Sequence, residues 1–232
     1  MRKAVIFTLV GGALVVAAAT FLGAGGKPAA DINGDLEDNR LVGSPGPDTM
    51  FGSGGQDTML GKGGRDEIDG GLGNDPMLDG GPGIDLVHGS DGDDHLYGGA
   101  DADDLEGDRG DDYLSAGGGG GTVGGGPGED DLVGDHGIDL LGGGLGDDQI
   151  SGGSDTDRLV GGLGNDLMKG GDGNDSLFGE SGSDTMIGGD GDDFIYAKDG
   201  VSNETVDCGP SVNDMAAVDA GDTVSNCEMI TH

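Results

Sequence analysis

The chain has no tryptophan, three tyrosines and five phenylalanines among 232 residues. So few large apolar side chains exclude one conventional globular core. Bases are scarce as well, with 10 Lys+Arg against 46 Asp+Glu and a formal net charge of −36. Nucleic acid is therefore not an expected partner, because binding it needs clustered Lys and Arg and this surface repels phosphate. Catalytic signatures are missing too: no GxSxG, HExxH or P-loop pattern occurs. Glycine is abundant, with 57 residues, and 39 of the acids are aspartate. The glycines do not fall at every third position, which excludes collagen. Low hydrophobicity with high net charge ordinarily marks a disordered chain. Periodicity argues against that here.

Residues 1–30 form a separate object. Arg2 and Lys3 precede an almost wholly apolar run, Ala4 to Ala19, and small residues lead on to Lys27, Pro28 and the first acid, Asp31. This is the layout of a secretory signal peptide, with cleavage after Ala19 or after Ala24. The rival reading is an uncleaved anchor, since the apolar stretch to Leu22 nearly reaches the roughly 20 residues of a membrane span. From Asp31 on, seven bases face 46 acids, a net −39. A compact form needs something to offset that charge.

A nine-residue step supplies the order. Aspartate stands at Asp48, Asp57, Asp66 and Asp75, then at Asp85, Asp94, Asp103 and Asp112, then at Asp130, Asp139, Asp148, Asp157, Asp166, Asp175, Asp184 and Asp193. Asp75 to Asp85 is ten residues, read as one extra residue near Asp79, and Gly121 stands where an Asp is due. Thus 17 slots hold 16 Asp. Two residues after each slot comes Met50, Met59, Ile68, Met77, Val87, Leu96, Leu105, Leu114, Val123, Leu132, Leu141, Ile150, Leu159, Met168, Leu177, Met186 or Ile195. Glycines precede the slots, most cleanly in Gly161-Gly162-Leu163-Gly164-Asn165-Asp166 and Gly170-Gly171-Asp172-Gly173-Asn174-Asp175. The unit is GGxGxDxUx, with U a large aliphatic.

A lone unit of this kind carries little weight, but 17 in tandem resemble the RTX family, the hemolysin-type calcium-binding repeats, over about Gly43 to Tyr196. The resemblance implies an all-β fold, a parallel β-roll or β-solenoid of stacked nonapeptides, with calcium as its ligand. RTX enzymes and toxins attach such repeats to a separate catalytic or pore-forming domain. This chain is nearly all repeat and leaves no room for one, so no enzyme is expected. The family's usual C-terminal secretion signal is replaced here by the N-terminal one.

The residues lead to the same place on physical grounds. GGxGxD makes a tight turn, since glycine permits φ > 0 and close backbone approach. The next three residues, x-U-x, make a short strand whose middle side chain points inward. Two units form one coil, and coils stack about 4.8 Å apart. Each step then gathers one Asp carboxylate with several backbone carbonyls. Oxygen ligands suit Ca²⁺, whereas Mg²⁺ demands a stricter octahedron. No His/Cys set recurs for a transition metal. His88, His95 and His136 fall at outward positions of different units, and they and His232 read as solvated residues rather than a zinc site.

Alternate slots fall on opposite sides of the roll. One row runs 57, 75, 94, 112, 130, 148, 166, 184, and the other 48, 66, 85, 103, 121, 139, 157, 175, 193. A cation between neighbouring members gives an expected load of roughly 10–15 Ca²⁺. In the second row Asp101 and Asp155 replace the fourth glycine and Gly121 replaces the Asp, so weaker sites are expected around 103, 121 and 157.

Three stretches break the pattern. Ala116 to Gly126 reads as a loose turn that keeps step, with a hinge as the alternative. Asp31 to Val42 reads as a degenerate first turn, with Asn39 in the Asp slot and Leu41 in the apolar one. The nonapeptides stop after Tyr196, and residues 197–232 are expected to form a small C-terminal cap that closes the solenoid end. That tail resembles the Cys-containing closing segments of secreted RTX-repeat proteins, and with an oxidising compartment it pairs Cys208 with Cys227. Two free thiols or a metal pair are the alternatives.

Overall fold

The computed structural model describes residues 14–16, 30–201 and 203–231. The signal peptide expected over 1–30, with its cleavage points, lies outside the described residues apart from Leu14–Val16 and Ala30. Among the described residues there are 24 strands and no helix, from β1 (Leu14–Val16) to β24 (Met229–Thr231). Among the described residues no helix is long and apolar enough to cross a membrane. Odd-numbered strands form one sheet of twelve and even-numbered strands the other, every pairing parallel. Each pair of consecutive strands is one coil of a β-solenoid, and twelve rungs at the usual spacing make a rod about 50 Å long.

The strands run further than three residues. Most span six and continue through the glycine pair, as in Leu167–Asp172 with two inward positions, Met168 and Gly170. The inward glycine keeps the alternation of the strand while presenting no side chain. The turn proper begins at the second glycine, where Gly171 has φ 118° and Gly173 has φ 142°. Asp101 and Asp155, at φ 77° and 83°, hold the same left-handed turn that glycine holds elsewhere. Aspartate is among the few residues that tolerate it.

The core is a ladder of single aliphatic side chains from Ile32 and Leu41 through Leu159 to Ile195 and Val206. One expected rung is corrected. Met77 is 36% exposed, and Leu78 takes the core position at 0%. Leu78 pairs with Met59 on one side and Leu96 on the other. Met77 pairs with Thr58, so the extra residue is Pro76, ahead of strand β7 (Met77–Pro82), and not near Asp79. Proline supplies no N–H to a ladder and is excluded from its interior, so the insertion falls in the turn.

Ala116 to Gly126 keeps step. Val123 is buried and lies in register between Leu105 and Leu141. Beyond Tyr196 the same two sheets continue through β21 (Thr205–Asp207), β22 (Met215–Val218), β23 (Thr223–Ser225) and β24. The closing segment thus caps the rod by adding rungs of its own, and Cys208 is bonded to Cys227 across it.

Candidate metal centre

A slot aspartate sits where the turn ends and the next strand begins, so its side chain folds back under the coil. All sixteen are buried, none more than 3% exposed. In each, Oδ1 accepts a hydrogen bond from the amide of the slot residue one coil earlier. Asp148 N donates to Asp166 Oδ1 at 2.9 Å, and Asp166 N donates to Asp184 Oδ1 at 2.9 Å. On the other side Asp139 N donates to Asp157 Oδ1, Asp157 N to Asp175 Oδ1 and Asp175 N to Asp193 Oδ1, each at 2.8 Å. The two rows expected from the spacing are therefore two ladders, one unbroken and the other interrupted between Asp103 and Gly121. Asn39 occupies the expected slot, its amide donating to Asp57 Oδ1 at 2.7 Å. Gly121 donates to Asp139 Oδ1 at 2.6 Å but offers no carboxylate in return to Asp103.

The second carboxylate oxygen is different. Oδ2 of every slot aspartate from Asp57 to Asp193 is buried and has no hydrogen-bond partner. Only Asp48 Oδ2 is satisfied, by the Ser44 amide at 2.5 Å. Where these oxygens point is fixed by the inward glycine of the preceding unit. A β-carbon added at Gly152 would stand 2.5 Å from Asp157 Oδ2 and 2.6 Å from the Gly170 carbonyl oxygen. At Gly89 the corresponding distances are 2.5 Å to Asp94 Oδ2 and 2.7 Å to the Gly107 carbonyl. A carboxylate oxygen and a carbonyl oxygen from the next coil thus converge at every slot aspartate from Asp57 to Asp193 except Asp184, and no donor bonds the carboxylate oxygen.

Burial, against the opposing pull of the backbone hydrogen bond, holds these carboxyls above the usual range, and neighbouring acids add to it. Asp75, Asp103, Asp112 and Asp148 are pushed up to about 7. Asp66, Asp94, Asp130, Asp139, Asp157, Asp184 and Asp193 are pushed up to about 6. Asp57, Asp85, Asp166 and Asp175 are also raised, again chiefly by burial. No base neutralises them: among the described residues the ion pairs are His88 with Asp108 and Arg109 with Asp91, both at the surface.

A buried carboxylate is costly unless it is protonated or paired. The donor set here is all oxygen, one carboxylate and one or more carbonyls per step. Among the described residues no three His, Cys, Asp or Glu side chains converge on one point. Such an arrangement fits a hard cation that accepts backbone carbonyls, as Ca²⁺ does, better than a thiolate- or imidazole-seeking metal. The unpaired Oδ2 atoms are the residue-level feature that meets the charge of such an ion.

Four further slots escape the nine-residue count. Glu204, Asp214, Asp222 and Glu228 continue the rows: Asp193 N donates to Asp214 Oδ1 at 2.8 Å, Thr223 N to the Glu204 carbonyl at 2.9 Å, and Asp214 N to Glu228 Oε2 at 3.2 Å. The signal that could have found them is the acid-x-aliphatic triplet, intact in Glu204-Thr205-Val206, Asp214-Met215-Ala216, Asp222-Thr223-Val224 and Glu228-Met229-Ile230. Of the histidines, His95 packs edge-on against Tyr113 and His136 bonds Ser154, so these are separate surface contacts.

A family model described as the RTX calcium-binding nonapeptide repeat matches residues 33–68, 42–75, 79–114, 124–159, 133–168, 151–186 and 169–201, together well over half of the chain. No curated protein matches it.

Proposed function

Because the chain belongs to the RTX calcium-binding nonapeptide repeat family, we propose that it is an exported, non-catalytic protein whose β-roll forms as its aspartate rows bind Ca²⁺. The observation that carries this reading is the series of buried, unpartnered Oδ2 atoms from Asp57 to Asp193, all but that of Asp184 beside a carbonyl oxygen of the next coil. In this reading the sixteen slot aspartates, Asp48 to Asp193, are the side-chain ligands and turn carbonyls complete each site. A load of roughly 10–15 ions would offset most of the net charge of −36. Extracellular calcium modules have dissociation constants of about 10⁻⁴–10⁻³ M. Sites of that strength stay empty in a calcium-poor cytosol, so the chain would fold after export. The apolar segment within residues 1–30 supports export as a signal peptide. Neither nucleic acid nor a membrane is a partner in this reading.

Far-UV circular dichroism of residues 31–232 during a Ca²⁺ titration, repeated with Mg²⁺, tests it. The expected outcome is a cooperative gain of strand signal with Ca²⁺ alone. Full strand content in chelator would overturn it.

A second reading, an adhesive or structural surface module, is favoured by one observation. On the even-numbered sheet, the first and third residues of every strand from Thr122–Pro127 to β24 include no acid. They do include Leu140, Val160, Phe178, Phe194 and Tyr196, with Arg158 stacked 4.2 Å over Phe178. In a chain of net charge −36 that face is set apart. Partner capture with and without chelator, compared with a Phe178→Asp chain, separates the readings. Capture that needs both calcium and Phe178 supports the module.

A further inference from the structure

Glu204 is fully buried, and both of its carboxylate oxygens lack a hydrogen-bond partner. The slot aspartates each use one oxygen to accept from the coil before, but the amide of Asp184 does not donate to Glu204. Burial raises its proton affinity first, and the charges of Asp222, Asp199, Asp184 and Asp219 raise it further, up to about 8. These acids act on it through their charge, and among the described residues neither ion pair involves Glu204. Asp222 and Asp219 are already engaged with backbone amides: Asp222 Oδ2 accepts from Asp219 N at 2.7 Å, and Asp219 Oδ2 from Gly200 N at 2.6 Å. Among these acids Glu204 is left with two buried, unpartnered oxygens.

The position has a mechanical meaning. Glu204 immediately precedes strand β21, which leads directly into Cys208, the residue bonded to Cys227. Its carbonyl receives Thr223 N from the next coil at 2.9 Å. A ligand held by the Glu204 side chain would therefore tie down the rung that the disulfide closes.

We propose that Glu204 is the side-chain ligand of a Ca²⁺ site in the disulfide-closed coil, outside the nonapeptides. No three acid side chains converge there, so turn carbonyls complete the site, as in the repeats. The proposal rests on the reading that the aspartate rows take calcium, and it adds one ion that the nine-residue count does not include.

Native mass spectrometry of the calcium-saturated full chain counts ions one at a time. Glu204→Gln is expected to carry one ion fewer than the wild type, and Glu204→Asp, which keeps a carboxylate, the same number. In the wild type, calcium is also expected to slow the opening of Cys208–Cys227 by dithiothreitol about tenfold, and to slow it far less in Glu204→Gln. A wild type that takes up no calcium overturns both this site and the reading of the rows. A wild type that takes up calcium, with Glu204→Gln matching its count, overturns this site alone. If Glu204→Gln does not fold, the wild-type disulfide decides, and its opening at the same rate with and without calcium overturns the proposal.

Discussion

At Gly152 there is no space for a methyl group, because Asp157 Oδ2 and the Gly170 carbonyl already meet there. The inward glycine and the aspartate five residues later are thus one device, and each requires the other. The single slot without an aspartate shows it: Gly121 is preceded by Ala116, buried, whose β-carbon lies 3.6 Å from where a β-carbon on Gly121 would stand. Both members of the pair have changed together. Gly121→Asp alone should therefore crowd the core, lowering the stability of the calcium-loaded chain by about 1–3 kcal/mol. Adding Ala116→Gly should restore it and raise the bound calcium by at least one ion, read by thermal melting and ion counting. The raised carboxyls give a pH prediction at the same scale. Each holds its proton more tightly folded than unfolded, so in chelator their contribution is fully present below the ordinary 3.8 and is lost as pH rises through about 6 to 7. Strand signal in chelator should be greater at pH 5 than at pH 8, while the calcium midpoint should fall to lower concentration over the same rise as protons cease to compete. Equal spectra in chelator at the two pH values would refute the first half.

Among the elements, the strand that departs from the nine-residue count is the most informative. Met77 and Leu78 are both apolar and adjacent, so spacing alone assigned the wrong one to the core. The decision belongs to Pro76, which keeps the extra residue in the turn. Leu78→Ala should cost about 2–5 kcal/mol, and Met77→Ala should stay within about 0.5 kcal/mol, measured by calcium-loaded denaturation. The rest of the repeat was legible because its signal is redundant: Asp148, Ile150, Gly152 and their counterparts recur in fixed register. The six-residue strands were not, since a glycine pair reads as a turn by propensity and becomes strand only through pairing with the glycines of adjacent coils. The closing slots were hidden for a related reason. Glu204, Asp214, Asp222 and Glu228 keep their local triplets, but insertions between them erase the period. The candidate site was legible down to the aspartates; that one oxygen of each is spent on the coil before it, leaving the other unpaired, needed the stacked backbone.

Across the whole molecule the ladder has a direction. A slot amide in one coil donates to the slot carboxylate in the next, so slot amides are met by their successors, while the residue just before the slot donates the other way, as Glu129 N does to Asp111 Oδ1 at 2.9 Å and Asn165 N to Asp147 Oδ1 at 2.7 Å. Removing residues 1–47 deprives Asp48 and Asp57 of the donors to their carboxylates and Thr58 N of the Asn39 carbonyl, and water can replace those at an open end. Removing residues 197–232 takes the Asp214 oxygen from the buried amide of Asp193 and the Cys208 carbonyl from the glycine rung at Gly188. Chain 48–232 should thus melt within a few degrees of the full chain in calcium, and chain 1–196 clearly lower; the opposite ranking would refute the asymmetry. In time, the slot rows set a schedule. A polypeptide that leaves the ribosome or a translocation pore N-terminus first presents each slot amide before the carboxylate that will meet it. For these rows the last segment to emerge supplies the final acceptors, so an interrupted or clipped chain keeps a slot amide unmet at its end.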